Sequence, residues 1–168
     1  MPADAVIEST LDHPAIIGKL PAHGDFIARG VAYKARDRFD RWLSEWMELG
    51  REAHGAQFQS VYETAAPWLL ESGSCTAILM PSMDAVGRLY PILALCHADC
   101  VTQDIYDCLV SALVEGTPSD DLRAQLGDLK RAERIPSQSG WFVPEGAEQT
   151  LPPPDAVAVW QEIEGDLS

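Results

Sequence analysis

The residues best able to do chemistry in this chain are four cysteines, two loop serines, a few histidines and two compact charged turns. Cys96-His97-Ala98-Asp99-Cys100, with Cys108 beyond, gathers thiols and an imidazole, the ligand types that zinc takes. A closed structural zinc site needs four ligands, and this C-x₃-C spacing lacks a second Cys or His pair at ligand distance. The four cysteines, Cys75 included, are therefore expected as reduced, mostly buried thiols, with no metal. Ser74 lies in Gly-Ser-Cys and Ser82 in Pro-Ser-Met-Asp, and neither forms the G-x-S-x-G elbow of a nucleophile. His23 and His54 are paired with no nucleophile and read as surface or capping residues. Gly18-Lys19 is not a phosphate loop, because His13 stands where the first Gly should be and Leu20 replaces the hydroxyl residue. No dinucleotide glycine fingerprint occurs, so neither a catalytic residue nor a cofactor is expected.

Two clusters are harder to dismiss: Gly18-Lys19-Leu20-Pro21-Ala22-His23-Gly24-Asp25-Phe26 and Met80-Pro81-Ser82-Met83-Asp84-Ala85-Val86-Gly87-Arg88. Each packs Pro, Gly, an Asp and a cation into a loop at the end of an apolar run. Two readings compete. In one, Asp caps turn amides, Gly takes positive φ and Lys19 or Arg88 pairs with a carboxylate. In the other, loops held on a rigid sheet carry recognition. A hydrolase using Ser82, Asp84 and Arg88 is a further alternative, and requires a base within about 3 Å of the hydroxyl.

The elements that must position these loops follow from periodicity. Ala15–Leu20 reads as a strand that stops at Pro21 and Gly24. Phe39, Trp42, Leu43, Trp46 and Leu49 make one apolar stripe, which predicts a helix with Gly50 and Gly55 as stops. A short helix is expected over Gln57–Glu63. Trp68–Glu71, Cys75–Met80 and Leu89–His97 predict an antiparallel meander, with Pro91 either before the third strand or at an edge. Thr102–Glu115 reads as a helix stopped by Gly116. A second start follows at Thr117, with a hydroxyl N-cap and Pro118 first, running to about Arg134 with Lys130 and Arg131 in its last turn. Trp141–Val143 is a short strand, Leu151–Pro154 a polyproline-type connector, and Ala156–Ile163 a terminal helix or strand. The whole reads as one domain over 1–168, an α/β layered sandwich whose central sheet is mixed or largely antiparallel.

The chain has 168 residues, 46% of them hydrophobic, with 12 Lys and Arg against 26 Asp and Glu for a net charge of −14. A chain of this length buries roughly 70% of its unfolded surface, enough for a true core. The acidity disfavours nucleic acid and anionic membrane surfaces as partners. It is also uneven: residues 1–60 hold 7 basic and 9 acidic residues, residues 61–168 hold 5 and 17. Any contact made through the second half should favour a basic protein and weaken with salt. Met1–Asp12 has no basic segment followed by an apolar one, and no apolar run approaches the length of a membrane span, so a cytoplasmic location is expected.

At the two loop clusters the sequence resembles the type VI secretion system-associated TagF (ImpM) family. Gly18–Phe26 matches its G-K-[LM]-P-x-x-G-D-F signature, and Pro81–Pro91 matches P-S-x-D-x-V-G-R-x-[FY]-P. Asp40-Arg41-Trp42-Leu43 fits the family's D-x-W-L helix, and Pro67-Trp68 with Gly73-Ser74-Cys75 fits in part its P-x-W-R-F and G-x-C-x strand. Ile17 stands where the family usually has an aromatic, and Leu69 and Leu70 replace Arg and Phe. The motifs span residues 15–100. The resemblance implies a sandwich of a central sheet flanked by helices, and a cytoplasmic, non-enzymatic, post-translational repressor that binds the forkhead-associated (FHA) scaffold protein of the secretion system. An adaptor for a secreted effector is the remaining alternative. Lys19, Pro21, Gly24, Asp25, Phe26, Ser82, Asp84, Gly87 and Arg88 carry over as signature residues, either bracing the two loops or touching the partner.

Overall fold

A computed structural model describes residues 11, 13–133, 135, 138–148 and 150–167. Its strands are β1 (Ala15–Gly18), β2 (Ile27–Arg29), β3 (Trp68–Glu71), β4 (Thr76–Met80), β5 (Ile92–Cys96) and β6 (Trp141–Phe142). They form one sheet in the order β2-β1-β5-β4-β3-β6, antiparallel at every pairing. β3, β4 and β5 are the expected meander, and β5 begins just after Pro91, which spares the ladder a residue without an N–H.

Successive side chains of a strand point to opposite faces, and here both faces are covered. Ile17, Leu70, Ala77, Leu79, Leu93 and Leu95 face one core, with α1 (Arg36–His54), α2 (Phe58–Thr64) and α5 (Trp160–Leu167). Ile16, Leu69, Ile78, Met80, Ile92 and Ala94 face the other, with α3 (Thr102–Glu115) and α4 (Ser119–Gly127). Burial on both sides is why the strands read as unbroken apolar runs rather than as alternation. Each fully buried Leu, Ile or Phe contributes about 1.5–3 kcal/mol relative to exposure. The molecule is the expected α/β sandwich, with the sheet wholly antiparallel.

Several boundaries differ from expectation, and β2 is a strand that the sequence reading did not include. α1 runs through Gly50 to His54 and stops at Gly55, whose φ is +54°. Gly50 is a contact rather than a stop, since a Cβ there would lie 3.0 Å from the Phe58 ring and 3.3 Å from Leu151. α4 ends at Gly127, not near Arg134, which itself lies outside the described residues. The chain beyond it turns back to the β5 end, where Arg131 bridges Cys100 and the Ala132 N–H donates to the Asp99 carbonyl at 2.8 Å. Lys130 and Arg131 are thus past the helix instead of in its last turn. α4 also starts one step late, with Pro118 at the N-cap position and no hydroxyl cap from Thr117. The terminal segment is a 3₁₀ turn (Pro154–Ala156) followed by α5.

The Pro-rich connector is seated on tryptophans. A polyproline stretch has no internal hydrogen bonds, so its carbonyls need outside donors. Trp68, Trp46 and Trp42 supply their indole N–H groups to the carbonyls of Leu151 (3.0 Å), Pro152 (2.7 Å) and Pro154 (3.1 Å). Trp160 then stacks on Trp42 with ring centroids 4.8 Å apart.

Candidate functional site

Both signature loops leave the same end of the sheet, because β1 and β5 are hydrogen-bonded neighbours. Gly18 makes that approach possible. Its φ is +131°, and a Cβ there would sit 2.1 Å from the Pro91 carbonyl oxygen, so only glycine fits. The Lys19 N–H donates to that same carbonyl at 3.1 Å.

Across this junction the Ser82 hydroxyl donates to the Lys19 carbonyl at 2.7 Å. Tyr62 reaches in from α2, donating its hydroxyl to the Ser82 carbonyl and accepting the Ser82 N–H, each at 2.9 Å. Burial pushes the Tyr62 hydroxyl well above the usual phenol range, which keeps the donor proton in place.

Asp84 is the centre of the second loop, and its side chain is fully buried. One carboxylate oxygen accepts the N–H groups of Val86 (3.0 Å) and Arg88 (2.9 Å), and the other accepts Arg88 Nε at 2.5 Å. Lys19 Nζ stands 3.8 Å from that second oxygen. Burial alone pushes the carboxyl pKa up. The Arg88 backbone and side-chain hydrogen bonds, the Val86 N–H and the guanidinium charge outweigh it and hold the group below its ordinary value. Gly87, at φ +85°, lets the loop close so that its N–H reaches the Asp84 carbonyl.

The two loops are then tied together. Arg88 Nη2 donates to the Gly24 carbonyl at 3.0 Å, and the Ala85 N–H donates to the His23 carbonyl at 2.8 Å. His23 Nε2 accepts the Ser119 N–H at 2.9 Å, which supplies the cap that Thr117 does not give α4. Phe26 meets the Tyr90 ring edge-on at 5.9 Å, Lys19 Nζ lies 5.0 Å over that ring, and Arg36 lies 5.1 Å over Phe26. Tyr90 in turn donates its hydroxyl to the Asp40 carboxylate at 2.5 Å.

The structure thus brings together Lys19, Phe26, Ser82, Asp84, Gly87 and Arg88, with Gly24 joined through its carbonyl. Asp25 is exposed at the tip of the loop, and Pro21 and Ser82 line a groove of about 270 Å³ with Tyr62, Glu63, Pro81, Met83 and Leu113. Nothing lies within 4 Å of a Cβ added at Gly24, so that glycine answers to no steric demand. Tyr62 is the member of the network that neither loop's motif includes, whereas Tyr90 fills the aromatic position of the second motif. Ser82 is 5% exposed, and its hydroxyl hydrogen is directed at a carbonyl rather than held by a base.

Away from this end, Cys96 and Cys100 are neighbouring thiols at the close of β5; Cys100 and burial push the Cys96 thiol up, and Cys96 draws the Cys100 thiol down. Among the described residues no group of three or more His, Cys, Asp or Glu could hold a metal ion, and no helix is long and apolar enough to cross a membrane.

Residues 15–127 match the family described as TagF N-terminal domain, type VI secretion system-associated. No curated protein matches the chain. Among solved structures, that of PA0076 from Pseudomonas aeruginosa PAO1 is similar, with a TM-score of 0.54 at 21% identity. The likeness covers 91% of this chain and 76% of that one, and at this identity it speaks for the fold alone.

Proposed function

Given that the chain belongs to the TagF N-terminal domain family of type VI secretion-associated proteins, we propose that it is a non-enzymatic regulator of that system. It acts as a post-translational repressor in the cytoplasm by binding the FHA-domain scaffold protein.

The observation that carries the non-enzymatic reading is where the reactive groups of the signature loops are directed. Ser82 donates to Lys19, Asp84 gathers Val86, Arg88 and Lys19, and Arg88 reaches across to Gly24. A hydrolase needs a hydroxyl with a base in reach and an open position for substrate. Here the same residues form a brace that holds two loops in one shape, as a recognition surface requires. The repressor role and the FHA partner rest on the family resemblance, and the acidic second half of the chain supports a basic protein partner.

The test is a pull-down of the purified chain with the FHA-domain protein of the same secretion cluster, paired with a secretion assay on overexpression. Binding together with reduced release of the secreted tube protein is expected. No binding with undiminished release overturns the proposal.

A further inference from the structure

α3 packs over β4 and α4 over β1, so this helix layer covers the middle of the sheet and one side of it. Toward β3 and β6 the same face carries an open groove of about 460 Å³, lined by Pro67, Leu69, Thr102, Gln103, Tyr106 and Pro144. None of the six is charged. Acids adjoin the lining along the chain: Glu71 lies two residues beyond Leu69, Asp107 follows Tyr106, and Glu145 follows Pro144. Two polar groups of the lining are turned to these acids, the Thr102 hydroxyl to Glu71 at 3.5 Å and the Gln103 amide to Asp107 at 2.9 Å.

We propose that this groove docks a segment of the partner protein that carries one apolar side chain flanked by Lys or Arg. The apolar group sits on Leu69 between Tyr106 and the two prolines, and the cations meet Asp107 and Glu145. Buried apolar contact supplies the anchor, while the adjoining acids set orientation and association rate. The identity of the partner rests on the function proposed above, but the chemistry of the groove does not.

The experiment titrates the isotope-labelled full chain with a short synthetic peptide of one phenylalanine between pairs of lysines, and with its glutamate counterpart. Shifts centred on Leu69, Thr102, Gln103 and Tyr106 are expected with the lysine peptide alone, fading as salt rises. Asp107→Lys, an exposed change that leaves the fold intact, should weaken that peptide by about fivefold. Absence of shifts at the groove, or equal shifts with the glutamate peptide, overturns the inference. With the FHA-domain protein as probe, equal affinity for the wild type and an Asp107→Lys/Glu145→Lys double variant also overturns it and leaves the proposed function standing. An FHA-domain protein that fails to bind while the lysine peptide seats here removes the proposed function and leaves the groove.

Discussion

The loop brace and the tryptophan clamp both join distant parts of the chain, but by opposite means. The brace ties residues 18–26 to 82–91 through polar groups around one buried carboxylate. The clamp ties α1 and β3 to residues 151–154 through large rings, with an indole N–H meeting each of three carbonyls. Apolar burial stabilises in proportion to area, so the clamp should dominate stability. A polar network contributes little net energy when complete and fixes one geometry, because any member left unpaired is costly. The brace is therefore expected to set shape, and the clamp to set stability. The brace also lies wholly within the family match of residues 15–127, whereas half of the clamp lies beyond it.

The largest effect should come from the clamp. Trp42 is fully buried against Trp141 and Trp160, and Trp42→Ala should lower unfolding free energy by about 3–5 kcal/mol in urea titration. A loss smaller than that of any brace variant would break the comparison.

Next comes the one steric demand within the brace. Gly18→Ala forces a Cβ onto the Pro91 carbonyl at positive φ and should cost about 3 kcal/mol, while Gly24→Ala should stay within about 0.5 kcal/mol. Thermal melts of the pair separate a required glycine from one that merely shares the motif.

His23→Ala removes the acceptor at the start of α4 and should cost about 1 kcal/mol, again read by urea titration.

The smallest effect is a pH dependence. Asp84 is held below its ordinary value of 3.8, so the unfolded chain binds its proton more readily than the folded one. Its contribution is present above the unfolded pKa and is lost as pH falls through the lower folded value. Asp84→Asn should flatten the acid limb of the stability curve in that window, relative to the limb of the wild type. A steeper limb in the variant would reverse the sign.

How much of this was legible in the sequence depended on how local the cause was. α3 kept its expected C-terminal end because Gly116, at φ +70°, stops it from within the sequence. Gly50 misled because its role is a contact with Phe58 and Leu151, which no local pattern displays. α4 ended early because residues 131 and 132 bond to the Cys100 turn, a pairing set by tertiary structure. At the site, the two loops and their charged residues stood out as motifs, and the pairing of a cation with a carboxylate followed from their types. Tyr62 did not stand out, since it comes from α2 and its spacing there gives only a buried helical face. The clamp could have been anticipated in part: three consecutive prolines leave carbonyls that need donors, and five tryptophans supply indole N–H groups.

The central claim is that the signature loops shape a surface and carry out no reaction. Ser82→Ala tests it most directly, through repression of secretion in cells alongside the melting temperature of the purified variant. The account predicts a loss of about 1 kcal/mol from the missing bond to Lys19, with repression retained. Repression abolished while the melting temperature stays at that of the wild type would contradict it.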